Sequence, residues 1–288
     1  MTKPIAHEGL IRVSAEREIF YADTRTPGPV VVLLHGGGPG AFGVSNYSRN
    51  IDALASSFRV IVPDLPGYGR STKGVDRDDP FGDLATSMRG LLDALDIERA
   101  HFLGNSLGGA CALRLALDSP QRVDKLVLMG PGGIGTTRSL PTAGLNHLLS
   151  YYTGEGPTLA KVETFIRDYL VYDGSSIPQE LIEARYMSSI ERDVLAHPPL
   201  RRPSGPLALR KVWRMDFTRD SRLKSLTTPT LVIWGTEDKV NRPEGGRMLA
   251  RTLPNCDLLM LSRTGHWAQW ERADLFNTVI RAWLLDES

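Results

Sequence analysis

Ser106, Asp238 and His266 occur in that chain order, and each closes a short apolar run. A serine hydroxyl is a weak nucleophile until an adjacent imidazole takes its proton, and the imidazole needs an acid to fix its tautomer. Three such side chains on loops after strands would do hydrolytic or acyl-transfer chemistry. Ser106 sits at the apex of Gly104-Asn105-Ser106-Leu107-Gly108, after Phe102-Leu103 and before a helical stripe of Ala110, Leu113, Leu115 and Leu117. A strand, sharp turn and helix of this kind strain the serine backbone and expose its hydroxyl at the carboxyl end of a sheet. They also aim helix N-terminal N–H groups at a developing oxyanion. With 28 glycines in the chain, G-x-S-x-G by itself decides nothing. The strand before it, the helix after it and the two downstream partners carry the reading. Spacing alone leaves Glu237 open as an alternative to Asp238. His7, His101, His147 and His197 lack a strand-end position, His101 standing just ahead of a strand and His197 ahead of two prolines.

The elements that must hold these groups follow from the apolar pattern. Ile11-Arg12-Val13 and Glu18-Ile19-Phe20-Tyr21 alternate like an antiparallel pair. Short continuous apolar runs at Val30 to Leu34, Arg59 to Val62, Lys125 to Met129, Thr230 to Trp234 and Leu258 to Leu261 suit strands covered on both faces. Helices are expected around Asn46 to Ser56, over Leu84 to Leu95, around Met248 to Leu253 and over Leu275 to Leu285. Strands alternating with helices predict an α/β class with a mostly parallel, doubly wound sheet. Between Gly130 and Arg222 the rhythm breaks. Glycines and prolines there punctuate helical stripes such as Val162-Phe165-Ile166-Tyr169-Leu170, rich in aromatic residues. This stretch reads as an inserted helical lid with part of its apolar surface facing a pocket. The expected division is core 1–133, lid 134–222 and core 223–288.

The 288 residues, 41% apolar and 23% charged, fit an ordinary globular protein with a sizeable core. A net charge of +1 offers no electrostatic footprint for nucleic acid or a membrane surface. Met1 to Leu10 contains no apolar signal core and no apolar run is long enough to span a bilayer, so a cytoplasmic protein is expected. Cys111 and Cys256 lie outside any metal-ligand spacing and read as buried free thiols. Histidines and carboxylates show no ligand spacing either, so neither metal nor cofactor is expected.

A rival reading starts from the glycine loop. Gly38-Pro39-Gly40-Ala41-Phe42-Gly43 matches G-x-G-x-x-G after a strand, and Asp64 lies near the acidic position of a dinucleotide fold. A nicotinamide-dependent oxidoreductase would leave the elbow, Asp238 and His266 without a role. In the hydrolytic reading the His35-Gly36-Gly37-Gly38 loop supplies one oxyanion N–H and Leu107 the other.

In these residues the chain resembles the meta-cleavage product hydrolases, α/β-hydrolases that break carbon–carbon bonds in aromatic and steroid ring degradation. The resemblance runs through His35 to Gly43, Ser45-Asn46-Tyr47, Gly104 to Gly109, Leu128 to Gly133 and Gly265 to Glu271. It touches the inserted stretch at Val171-Tyr172-Asp173 and Ala184-Arg185-Tyr186. Asn105 before the serine, where ordinary esterases usually carry histidine, makes it more specific than the bare elbow. It implies the α/β-hydrolase fold and a 2-hydroxy-6-oxohexa-2,4-dienoate substrate with a variable C6 group. Water would cut C5–C6, giving 2-hydroxypenta-2,4-dienoate and a carboxylic acid. Residue roles are implied too. Asp238, rather than Glu237, orients His266; His266 takes the 2-hydroxyl proton; Ser106 attacks the C6 carbonyl or activates water. The Gly37 and Leu107 N–H groups hold the oxyanion. Gly38, Asn46, Asn105 and Trp267 line the dienoate subsite, and Arg185 grips its carboxylate side, work suited to a guanidinium. A homo-oligomer, dimer or higher, is expected. Most of the lid matches no member closely enough to name the C6 group. Lys239-Val240 stands where some members carry an aromatic residue, and residues 191–202 have no counterpart. A carboxylesterase acting on small aromatic esters is the alternative, because it needs the same triad and oxyanion hole.

Overall fold

In the computed structural model, which describes residues 5–286, eight segments become strands of one sheet. They are β1 (His7–Ser14), β2 (Arg17–Asp23), β3 (Val30–Leu34), β4 (Arg59–Pro63), β5 (Ala100–Asn105), β6 (Val123–Met129), β7 (Thr230–Gly235) and β8 (Cys256–Leu261). Their spatial order is β1-β2-β4-β3-β5-β6-β7-β8. Only β2 runs against its neighbours; every other pairing is parallel. Both faces of the central strands are apolar, so alternate residues feed two cores. Val32 and Leu34 join Phe102, Leu113 and Trp234 on one face, while Val31 and Leu33 join Leu103, Tyr47 and Phe276 on the other.

Helices close each face. Pro80–Ala94 starts where Asp79 accepts a hydrogen bond from Gly82 N with proline in the first turn, and it packs beside Leu107–Asp118. Ala273–Leu285 covers the opposite face, burying Phe276 and Ile280. The expected single helix from Asn46 to Ser56 is instead two short ones, Gly43–Asn46 and Ile51–Ala55. Tertiary anchors break it. Tyr47 is fully buried with its hydroxyl donating to Leu34 O at 2.9 Å, and Asn50 Nδ2 donates to Gln269 O at 3.0 Å.

Two smaller expectations also fail. His101 lies inside β5, paired with Val31, rather than ahead of it. Cys111 is buried, but Cys256 is only partly so, because it opens β8 at the sheet edge. Between β6 and β7 the chain is helical, with Ala143–Ser150, Leu159–Thr164, Gln179–Ser189, Arg192–Ala196 and Ala208–Arg214, and a π-helical stretch over Phe165–Leu170. Asp216 gathers the base of this insertion, accepting from Thr137 N at 2.8 Å and Thr218 N at 3.0 Å. A third core, including Tyr151, Phe165, Ile166 and Leu170, seats the insertion on Val240, Trp267 and Trp270.

Candidate active site

β5 delivers Asn105 and Ser106 to the carboxyl edge of the sheet, and the helix Leu107–Asp118 begins at once. Ser106 has φ 53° and ψ −110°, a conformation that L-residues rarely adopt. The neighbouring core holds it there: Ser106 N donates to Met129 O and Gly132 N donates to Ser106 O, both at 2.9 Å. A Cβ at Gly104 would stand 2.3 Å from Gly108 O, so the close approach of strand and helix demands glycine. Asn105 Nδ2 donates to Met129 O at 3.2 Å and to His266 O at 3.0 Å, tying the elbow to the histidine loop.

Asp238 follows β7. Its Oδ1 accepts from Val240 N at 2.8 Å and Asn241 N at 2.9 Å, and its Oδ2 faces His266 Nδ1 at 2.7 Å. This arrangement puts the imidazole proton on Nδ1 and leaves Nε2 as the basic nitrogen. Nε2 is buried and makes no hydrogen bond, so Ser106 shares its cavity without being bonded to it. Catalytic contacts of this kind commonly tighten only when substrate is bound. Glu237 serves elsewhere, accepting from Thr236 Oγ1 at 2.6 Å and Thr264 N at 3.0 Å.

The glycine loop is braced by two side chains that the sequence did not single out. His35 is fully buried; its Nε2 accepts from Leu65 N at 2.9 Å, so Nδ1 carries the proton and donates to Gly36 O at 2.8 Å. Burial lowers its pKa to about 4, keeping the ring neutral near pH 7. Tyr68 Oη donates to Gly37 O at 3.0 Å. Asp64 accepts from Gly43 N at 2.8 Å and Arg70 N at 2.9 Å, a brace within the loop region. With that carboxylate engaged and only the short helix Gly43–Asn46 opening directly on the glycines, the dinucleotide reading fails.

Gly37, Gly38, Asn46, Asn105, Ser106, Arg185, His266 and Trp267 line one cavity of about 20 Å³, room for about one water. Leu107 adjoins it from the first helical turn, and Asp238 stands behind His266. Leu148, Phe165 and Leu170 of the insertion complete the walls. Of the insertion's many aromatic residues only Phe165 faces this cavity. Residues 197–200 form a strap: a Cβ on Gly67 would meet Pro199 Cβ at 2.9 Å, and one on Gly37 would meet Leu200 Cδ1 at 2.5 Å. A larger cleft of about 580 Å³, lined by Lys239, Arg242, Arg247 and Tyr169, lies beside Asp238 but includes neither Ser106 nor His266.

Arg185 is the electrostatic anomaly of the site. It is 3% exposed, its Nε has no hydrogen-bond partner, and among the described residues no carboxylate pairs with it. Burial lowers its pKa to about 10, which still leaves it charged at neutral pH. Trp267 Nε1 is likewise buried without a partner. The cavity therefore offers a base, a hydroxyl, a lone buried cation and an indole N–H, a donor set matched to an anionic substrate with an electrophilic carbon. Among the described residues no group of three or more His, Cys, Asp or Glu could hold a metal, and no helix is long and apolar enough to cross a membrane.

The chain is similar to known proteins in sequence and in fold. The alpha/beta hydrolase fold family matches residues 29–273. A 2-hydroxy-6-oxononadienedioate/2-hydroxy-6-oxononatrienedioate hydrolase of Burkholderia vietnamiensis is 38% identical over 96% of this chain and 93% of its own. A 2-hydroxy-6-oxo-6-phenylhexa-2,4-dienoate hydrolase of Burkholderia cepacia is 39% identical over 87% of this chain and 85% of its own. Among solved structures, a meta-cleavage product hydrolase from Pseudomonas fluorescens, in a serine-to-alanine form complexed with acetates, superposes with a TM-score of 0.80. It is 30% identical and covers 96% of both chains.

Proposed function

The chain belongs to the α/β-hydrolase fold family and, within it, to the meta-cleavage product hydrolases, and from that premise we propose that it hydrolyses the C5–C6 bond of a 2-hydroxy-6-oxohexa-2,4-dienoate. Carbon is a poor leaving group, so the dienol must first ketonise to create an electron sink. In this reading His266 Nε2 takes the 2-hydroxyl proton and C5 gains one, leaving a ketone at C2. Ser106 then attacks the C6 carbonyl, or activates the water that does, with the Gly37 and Leu107 N–H groups holding the oxyanion. The C5–C6 bond breaks toward the dienolate, which departs as 2-hydroxypenta-2,4-dienoate, and water delivers the other half as a carboxylic acid. Asp238 keeps the imidazole in the required tautomer.

The observation that carries the reading is Arg185, a buried guanidinium with no carboxylate partner at the same cavity as Ser106 and His266. A simple esterase needs the triad and an oxyanion hole but no lone cation. A carboxylate on the substrate would complete this charge and orient the dienol for ketonisation. A dienoate occupies far more than about 20 Å³, so walls supplied by residues 134–222 must move aside on binding, which is the behaviour of a lid. The reading also takes the enzyme to be cytoplasmic and homo-oligomeric. Its test is spectroscopic. Mixed with a 6-phenyl dienoate, the protein should bleach the yellow dienolate band, and Ser106→Ala should slow this by about a thousandfold or more while still binding substrate. Rapid hydrolysis of nitrophenyl esters with every dienoate left intact would support the esterase instead.

A further inference from the structure

Glu271 does not line the cavity, yet it grips the loop that presents the base. Its Oε1 accepts from Gly265 N at 2.9 Å and Trp267 N at 3.3 Å, the residues on either side of His266. Its Oε2 accepts from Tyr172 N, in the insertion, at 2.7 Å and also from Gly265 N at 3.1 Å. Nearby a second bond crosses the same junction, His266 N donating to Leu170 O at 2.8 Å. Segments 170–172 and 265–267 are thus bonded twice, once directly and once through a carboxylate. Their approach is tight: a Cβ on Gly265 would stand 2.8 Å from Tyr172 N, so no larger residue fits without displacement. Upstream lies the π-helical stretch Phe165–Leu170, both ends of which line the cavity, and it gives way to extended Val171. Such π-helical turns frequently accompany functional sites. Burial pushes the Glu271 carboxyl up, and the N–H groups of Tyr172, Gly265 and Trp267 together with nearby His266 pull it back.

We propose that Glu271 is a positioning residue that locks the Phe165–Leu170 wall of the cavity to the loop carrying His266, so that base and wall keep one relative position. The proposal rests on reading His266 as the base. It explains why a carboxylate with two acceptor oxygens stands here: Oε1 serves the histidine loop alone, and Oε2 bridges that loop, at Gly265 N, to Tyr172 N of the insertion. The lock also implies that a moving lid opens elsewhere, at the walls supplied by Leu148 and Arg185 or at the Leu200 strap.

Two variants separate the arms of the lock. Glu271→Gln keeps the size but presents an amide to N–H donors. Tyr172→Pro removes the N–H from the insertion together with a half-exposed phenol ring, and Val171 before it is already extended as a proline requires. Glu271→Gln is expected to lower kcat on a 6-phenyl dienoate at least about tenfold and to raise KM. It should also speed amide hydrogen exchange in both 168–174 and 262–270. Tyr172→Pro should raise KM and speed exchange in 168–174 with a smaller change in kcat. Faster exchange confined to 262–270 in Glu271→Gln, or wild-type kcat and KM in both variants, would overturn the lock. Exchange reads the lock without turnover, so a wild-type protein inert toward dienoates would sink the proposed reaction and leave this measurement decisive. If Tyr172→Pro does not fold, Glu271→Gln decides alone.

Discussion

The guanidinium of Arg185 lies 5.3 Å over the ring of Trp267, the residue that follows His266. The contact crosses from the inserted helix Gln179–Ser189 to the loop after β8, so the lone cation is held by an aromatic face on the loop that carries His266. An unpaired buried charge is destabilising by several kcal/mol, and no neighbouring carboxylate offsets it here.

Arg185→Gln should therefore lower kcat/KM for a dienoate about a hundredfold, the loss expected for one buried charge-assisted contact. Hydrolysis of p-nitrophenyl acetate, which carries no carboxylate, should stay nearly unchanged. Equal losses on both substrates would remove Arg185 from the carboxylate subsite.

Asp238→Asn should leave the backbone bonds from Val240 and Asn241 with an acceptor but turn an amide N–H toward His266 Nδ1. The imidazole would then carry its proton on Nε2, the wrong nitrogen. A loss of about 10³- to 10⁴-fold in kcat is expected, with an unchanged circular dichroism spectrum. A tenfold loss or less would show that tautomer control lies elsewhere.

His35 makes stability depend on pH. Its folded pKa of about 4 lies below the ordinary 6.5, so between these values the unfolded chain binds a proton that the folded chain refuses. The contribution is intact above pH 6.5 and is lost as pH falls toward 4, by about 3 kcal/mol in all. Urea titrations of wild type and His35→Gln, whose amide oxygen can still accept from Leu65 N, should show a flatter acid slope in the variant. Parallel slopes would exclude His35 as a source of the dependence.

The elbow stores strain. Ser106→Gly should abolish turnover and yet be at least as stable as Ser106→Ala, by about 1 kcal/mol, because glycine adopts φ 53° without a Cβ penalty. Thermal melts of the two variants compare them directly, and a less stable glycine variant would mean that the surrounding core relieves the strain by another route.

The chain's own pattern determined the wound sheet, the elbow and the placing of Ser106, Asp238 and His266 after strands. Strands buried on both faces read as continuous apolar runs, and G-x-S-x-G between such a run and a helical stripe is a local signal. Asp238 and His266 were visible for the same reason, each ending a run that could only be a strand. His35, Tyr68, Asp64 and Glu271 were not visible as braces, since their partners are backbone groups that local pattern cannot pair with them. Glu271 shows the limit well: its Tyr172 partner is 99 residues away. The break at Tyr47 to Asn50 and the strap that brings Leu200 over Gly37 were likewise decided by packing across the sheet edge. Local periodicity reports which face of an element is apolar. Only the closed tertiary structure determines which polar group meets which, and that pairing sets the tautomer of His266, the charge of Arg185 and the walls of the cavity between them.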